Sequence, residues 1–214
     1  MELRGKEREK SLSNDRYYSD GYFDLVQLCS QSHQINEIHK LRPASIIEIG
    51  IGNGFTSSFL KRAGYDVTTV DINQNLKPDI CAPLDRVGEI LGGTKYDLVV
   101  CCEVLEHMPL ADFHASLACL DKLGRRLFLT LPNYRASVGL GGFLRVPKIG
   151  ITPFDFTVDL PRKKRLEKEH FWEVGSHPVT SRKNIVKKLR EMYETVHVKR
   201  FELNPYHIAF ICTR

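Results

Sequence analysis

Ser45-Ile46-Ile47-Glu48-Ile49-Gly50-Ile51-Gly52-Asn53-Gly54-Phe55 passes from a short apolar run directly into three alternating glycines. The run has strand length, and glycines after it permit a tight turn where backbone can approach a ligand that a Cβ would obstruct. Thr56 to Arg62 then reads as a helix, Gly64 as its end, and Asp66 to Val70 as a second strand closed by Asp71. Strand, glycine turn, helix and strand make a βαβ unit.

The same alternation continues downstream. A short strand is expected at Asp79 to Cys81, a helix at Leu84 to Leu91, and a fully apolar strand at Leu98 to Cys102. A helix from Leu110 to Leu123 follows, with Gly124 as its expected C-cap, and then a fifth strand from Arg126 to Leu131. Near-continuous apolar strands separated by helices imply a parallel sheet covered on both faces. Towards the C-terminus a helix (Ser181 to Tyr193) precedes strands at Thr195 to Glu202 and Tyr206 to Thr213. The last two are joined at Asn204-Pro205, so they should form an antiparallel hairpin at the sheet edge.

Upstream, Leu25, Leu28, Ile35, Ile38 and Leu41 recur at roughly helical spacing until Pro43, which predicts an amphipathic entry helix over Asp24 to Leu41. Residues 1–16 are mostly charged or polar without a hydrophobic period and are expected to be a disordered tail, with order beginning near Tyr17. Residues 132–179 also show no clear period, and an irregular stretch of that length is usually functional. It is expected to cover the substrate side of a single domain spanning residues 17–214.

The 214 residues suit one domain of ordinary size, and 42% hydrophobic with 27% charged residues is a globular composition. The net charge of +5 permits an anionic ligand without requiring one. No apolar stretch reaches the roughly 20 residues that span a bilayer, and the charged N-terminus lacks a signal-peptide core, so a cytoplasmic protein is expected. The six cysteines have no CxxC spacing and read as reduced core residues, with Cys101 and Cys102 pointing to opposite sheet faces.

The glycine turn calls for a nucleotide-like cofactor. NAD fits poorly: its GxGxxG fingerprint would place the third glycine at Phe55, and a diphosphate wants the helix N-terminus free of acids. Glu48 instead suits a cofactor bearing a cationic amino group. The segment resembles motif I, (D/E)xGxGxG, of the class I S-adenosylmethionine-dependent methyltransferases, matched by Glu48, Gly50, Gly52 and Gly54. The run Tyr96 to Pro109, which contains Glu103-Val104-Leu105-Glu106-His107, is similar to the fourth strand and following loop of that family.

The resemblance implies a Rossmann-like α/β fold: a mostly parallel seven-stranded sheet, an antiparallel C-terminal edge hairpin and helices on both faces. It also implies S-adenosylmethionine as cofactor, with Glu48, Gly50, Gly52, Gly54, Asp71, Ile72 and Glu103 at its site. Asp71 would accept the ribose hydroxyls. The acid that relatives carry after the third strand is replaced by Pro83, between Asp79 and Asp85, which leaves backbone around Ala82 to Leu84 to read the adenine edge.

Methyl transfer from a sulfonium asks the protein chiefly to position an acceptor, with a base where that acceptor holds a proton. His107, Glu106 and His170 are the expected catalytic groups, His107 first because its ordinary pKa lies near neutrality. Glu103, Asn133, Tyr134, Trp172 and Glu173 are further loop candidates. Glu103, Glu106, His107 and His170 together resemble the two-Glu, two-His metal site of the Hen1 small-RNA 2′-O-methyltransferases, where a divalent ion would activate a ribose hydroxyl. The basic run Pro161 to Arg165, with Lys168, reads as a solvated loop able to meet phosphate or an acidic glycan. A (D/N/S)PP(Y/F) loop, the mark of many base and glutamine methylating enzymes, is absent.

The expected activity is therefore methyl transfer to an oxygen or nitrogen nucleophile of a small-molecule or glycan acceptor. Alternatives are a metal-dependent RNA ribose methyltransferase, a non-catalytic binding module on the same fold, and an NAD-dependent oxidoreductase, which Phe55 disfavours.

Overall fold

The computed structural model describes residues 5–20, 22–148, 150–163, 165–201 and 204–214. Its centre is a sheet of β1 (Ile46–Ile49), β2 (Val67–Asp71), β3 (Ile80–Cys81), β4 (Tyr96–Cys102), β5 (Gly124–Pro132), β8 (Thr195–Phe201) and β9 (Asn204–Thr213). The spatial order is β3-β2-β1-β4-β5-β9-β8. The first five strands run parallel, whereas β9 pairs antiparallel with β5 and with β8. The expected edge hairpin is thus present, with β9 inserted between β5 and β8.

The period of two along each strand explains why both faces are apolar. Ile47, Ile49, Val99, Cys101, Leu127, Leu129 and Phe210 pack into one core with Val87 of α4 (Leu84–Ile90), Leu117 of α5 (Phe113–Leu123) and Ile185 of α6 (Arg182–Leu189). Ile46, Leu98, Val100 and Phe128 face the other way, onto Ile38 of α2 (Leu25–Leu41) and Leu60 of α3 (Phe55–Arg62). Asp24 caps α2, its carboxylate accepting from the Gln27 amide at 2.7 Å. Cys101 and Cys102 join opposite cores as expected, but Cys81 is exposed on the short β3.

Two expectations are corrected. Residues 6–11 are not a frayed tail: they form α1 (Lys6–Ser11), followed by a 3-10 turn at Asn14–Tyr18. No residue of α1 is buried, so its anchors are polar and leave no hydrophobic period in the sequence. The stretch after β5 is not irregular throughout, because β6 (Arg135–Val146) and β7 (Gly150–Lys163) pair as a long antiparallel ribbon. Gly124 is the C-cap of α5 as expected, in extended conformation. A Cβ there would come within 2.7 Å of Val99 Cγ2 and 2.8 Å of the Tyr96 carbonyl, so close strand approach is what requires glycine.

Sequence order reverses between β1 and its neighbours β2 and β4, which opens a crevice beyond their carboxyl ends. The glycine turn and the Glu103–His107 loop both emerge there. Among the described residues no helix is long and apolar enough to cross a membrane.

Candidate active site

A cavity of about 810 Å³ occupies that crevice. One half is built by the first βαβ unit. Gly50, Gly52 and Gly54 all have positive φ (78°, 52° and 70°), so the turn needs a residue without a Cβ penalty at each. The structure separates their purposes. A Cβ on Gly50 would lie 2.3 Å from Val104 Cγ2, whereas the nearest atom to one on Gly52 is Tyr17 Cδ1 at 4.0 Å. Gly50 therefore lets two loops cross, and Gly52 keeps cavity space open.

Asp71 ends β2 and holds the turn in place. Its Oδ2 accepts from the Ile51 amide at 2.9 Å and its Oδ1 from the Asn73 amide at 2.8 Å. Burial raises its pKa, while the amides of Asn73, Ile51 and Ile72 work against that rise. Glu48 is buried on β1, and desolvation carries its carboxyl to about 7, opposed by a hydrogen bond from Ser57 and the charge of Lys61. Its Oε2 is buried without a hydrogen-bond partner. A buried acid lacking its cation, beside an open glycine turn, fits a ligand with a cationic amino group and a ribose. Ile72, Ala82 and Leu84 line the same half. Asp79 is engaged elsewhere, with Lys61 and Thr69, and Asp85 pairs with Lys6 on the surface.

The other half gathers the loop after β4, the segment after β7 and the start of β9. Glu103 adopts φ 54° and its Oε2 lies 3.2 Å from His207 Nε2. Glu106 is completely buried. Desolvation lifts both carboxyls, Glu103 to about 8, and the charge of each neighbour lifts Glu106 well above the carboxylate range. Two carboxyls so placed cannot both ionise at neutral pH. His107 is pushed the other way, to about 4, first by burial and then by His170, whose ring stands edge-on at 4.9 Å between centroids. Glu173 Oε1 holds His170 Nδ1 at 3.0 Å and accepts from the Tyr206 hydroxyl at 3.1 Å.

Glu106, His107 and His170 bring one ligand atom each within 4.8 Å of one another, a donor set suited to a divalent ion. Glu103, the fourth residue of the expected set, is turned to His207 instead. Other candidates fall away from the cavity. Asn133 donates to Asp159, and Trp172 is a core residue whose Nε1 donates to the Met108 carbonyl. Of the basic run, Lys164 lies outside the described residues, while Arg165 and Lys168 line the cavity mouth.

Sequence reading missed the N-terminal wall. Tyr17 and Glu9 line the cavity, Arg8 pairs with Glu169, and the Tyr18 hydroxyl donates to the Asn53 carbonyl at 3.0 Å. Gln31 from α2, with Tyr206 and His207 from β9, also line it without a sequence signal. Residues whose role depends on meeting other segments leave no local spacing to detect.

A family described as methyltransferase domain matches residues 15–183. No curated protein matches. Among solved structures, magnesium protoporphyrin IX methyltransferase (ChlM) from Synechocystis PCC 6803 with bound SAM superposes with a TM-score of 0.60 at 18% identity, over 98% of this chain and 95% of that one. The glycopeptide N-methyltransferase MtfA complexed with S-adenosylmethionine gives 0.55 at 11% identity, over 84% and 92%. The methyltransferase domain of bacterial CtHen1 gives 0.51 at 15% identity, over 88% and 100%. The strand order, the family match across most of the chain and these folds agree: the chain belongs to the class I S-adenosylmethionine-dependent methyltransferases.

Proposed function

We propose that this methyltransferase modifies an oxygen or nitrogen nucleophile of a small-molecule or sugar-containing acceptor. The observation that carries this is the continuity of one cavity from Glu48 and Asp71 to the cluster of Glu103, Glu106, His107 and His170. S-adenosylmethionine, when bound, supplies a methyl group on a positively charged sulfur, which is already an activated leaving group. Glu48 meets its amino group, Asp71 the ribose hydroxyls, Gly52 and Ile72 give it room, and backbone from Ala82 to Leu84 borders the adenine.

The acceptor's proton goes to the polar cluster. His107 keeps its lone pair at neutral pH, but a pKa near 4 makes it a weak base. The Glu103–Glu106 pair, raised by burial, is better matched to a proton transfer near neutrality. Arg165 and Lys168 line the cavity together with Glu9, Glu167 and Glu169, and Arg16 pairs with Glu169, so the wall offers both signs of charge to a polar acceptor.

The test is transfer of labelled methyl from S-adenosylmethionine into fractionated sugar phosphates, glycans and amines. Glu106→Gln should cut transfer at least about 100-fold and His107→Ala by less, each leaving S-adenosylhomocysteine affinity within about threefold. Intact cofactor binding without transfer to any such pool would sink the reading. A second reading rests on the Glu106–His107–His170 donor set: a divalent ion there would lower the pKa of an acceptor hydroxyl, including a ribose 2′-OH. Running the assay on chelator-treated protein with and without Mn²⁺, and with an RNA 3′ end as acceptor, separates the two, since full activity without metal excludes the second.

A further inference from the structure

The β6–β7 ribbon has one continuous apolar face. Directly opposed pairs share a face in an antiparallel ribbon, and here they are Val138 with Val158, Leu140 with Phe156, Gly142 with Phe154, Leu144 with Thr152, and Val146 with Gly150. Leu160 continues the same side. All of its large apolar residues are exposed, Leu140 at 77% and Phe156 at 70%. Thr152 is the single polar side chain among these pairs, and no charged one occurs. The ribbon is held at its base, where Asp159 accepts from Asn133 at 2.9 Å and pairs with Arg200 of β8 at 2.5 Å. Beyond that base its packing is almost wholly between its own two strands.

We propose that this face is the interface of a homodimer. Area is the first ground. The eight large side chains expose roughly 800 Å² in sum, about what each partner of a standard interface buries and more than a soluble monomer ordinarily leaves in one patch. Shape is the second. About a two-fold axis through the Gly142–Phe154 pair, the bulky Leu140–Phe156 pair of one copy meets the smaller Leu144–Thr152 pair of the other. The face is thus self-complementary, as an isologous contact requires. Phe154 lies flat across its partner, since a Cβ on Gly142 would come 2.9 Å from its ring, and this keeps the centre of the face smooth. Charge is the third. Among the described residues no charged side chain stands within these opposed pairs to repel a second copy, and Arg145 emerges from the opposite side.

Sedimentation of the full chain from low to high micromolar concentration tests this. The expected mass is twice 24.5 kDa at the upper end, with dissociation on dilution. Leu140→Asp combined with Phe156→Asp should weaken association at least about 100-fold, because each dimer would bury four unpaired carboxylates. S-adenosylhomocysteine binding reports that this variant is folded. Should it fail to fold, a second variant with the ribbon cut to a two-residue turn between Ser137 and Asp159 serves, again expected as a monomer. A wild-type monomer at every concentration overturns the proposal, and so does a dimer that survives both changes. Flotation of monomeric wild type with phosphatidylserine-containing vesicles, lost in the Asp variant, would also overturn it and assign the face to a bilayer.

Discussion

Gly50 and Gly52 sit two residues apart in one motif and are glycine for different reasons. Gly50 faces Val104 Cγ2 with room for no Cβ, while Gly52 faces open cavity under Tyr17. Gly50→Ala should therefore destabilise the fold by about 2–4 kcal/mol, from positive φ and overlap together, and Val104→Ala should return part of it. Gly52→Ala should cost only about 1 kcal/mol in stability but weaken S-adenosylhomocysteine about tenfold or more. Urea denaturation and calorimetric titration read the two effects, and equal losses of both kinds in both variants would contradict the assignment. The motif itself was legible because glycine and acid spacing is local. The division of labour was not, because Val104 and Tyr17 arrive from distant segments.

Elements became visible in the sequence to the extent that burial gave them a period. β1, β4 and α5 are lined by buried apolar residues, and their positions were readable to within a few residues. The ribbon had a usable signal in the alternation of Phe154, Phe156, Val158 and Leu160, but the surrounding Gly and Pro read as loop. α1 had none, since its attachments are ion pairs and hydrogen bonds: Arg8 to Glu169, and Asn73 Nδ2 to the Leu12 carbonyl at 3.0 Å. An element with no buried residue opens more readily than the sheet. Limited trypsin digestion should then cut first at Lys10 or Arg16 in the free protein, and saturating S-adenosylhomocysteine should slow those cuts at least about fivefold, because the segment walls the cavity. Equal cutting with and without ligand would detach α1 from cofactor binding.

The whole molecule carries its buried acids as a load on folding. Glu48 rises from 4.5 to about 7, and Glu103 and Glu106 shift in the same direction. A carboxyl whose folded pKa exceeds its unfolded one binds more protons in the native state between those values, so stability falls as pH rises from about 5 to 8. His107 works oppositely and lower down: depressed to about 4, it favours the native state as pH climbs from there to 6.5. Ion-paired Asp79, Asp97 and Asp159, with lowered pKa values, withdraw their support only as pH drops below the usual carboxylate range. These slopes place maximum stability near pH 5 to 6, with a decline on the order of a few kcal/mol towards pH 8. Scanning calorimetry across pH 5 to 8.5 should show the melting temperature falling on the alkaline side. Glu48→Gln should flatten part of that fall, because the amide cannot ionise. On the proposed binding mode S-adenosylhomocysteine should flatten it further in the wild type, its ammonium giving the Glu48 carboxylate a partner. A melting temperature that rises steadily through this range would mean that these carboxyls ionise freely in the folded state, and Glu48 would lose its place as the acid that receives the cofactor's amino group.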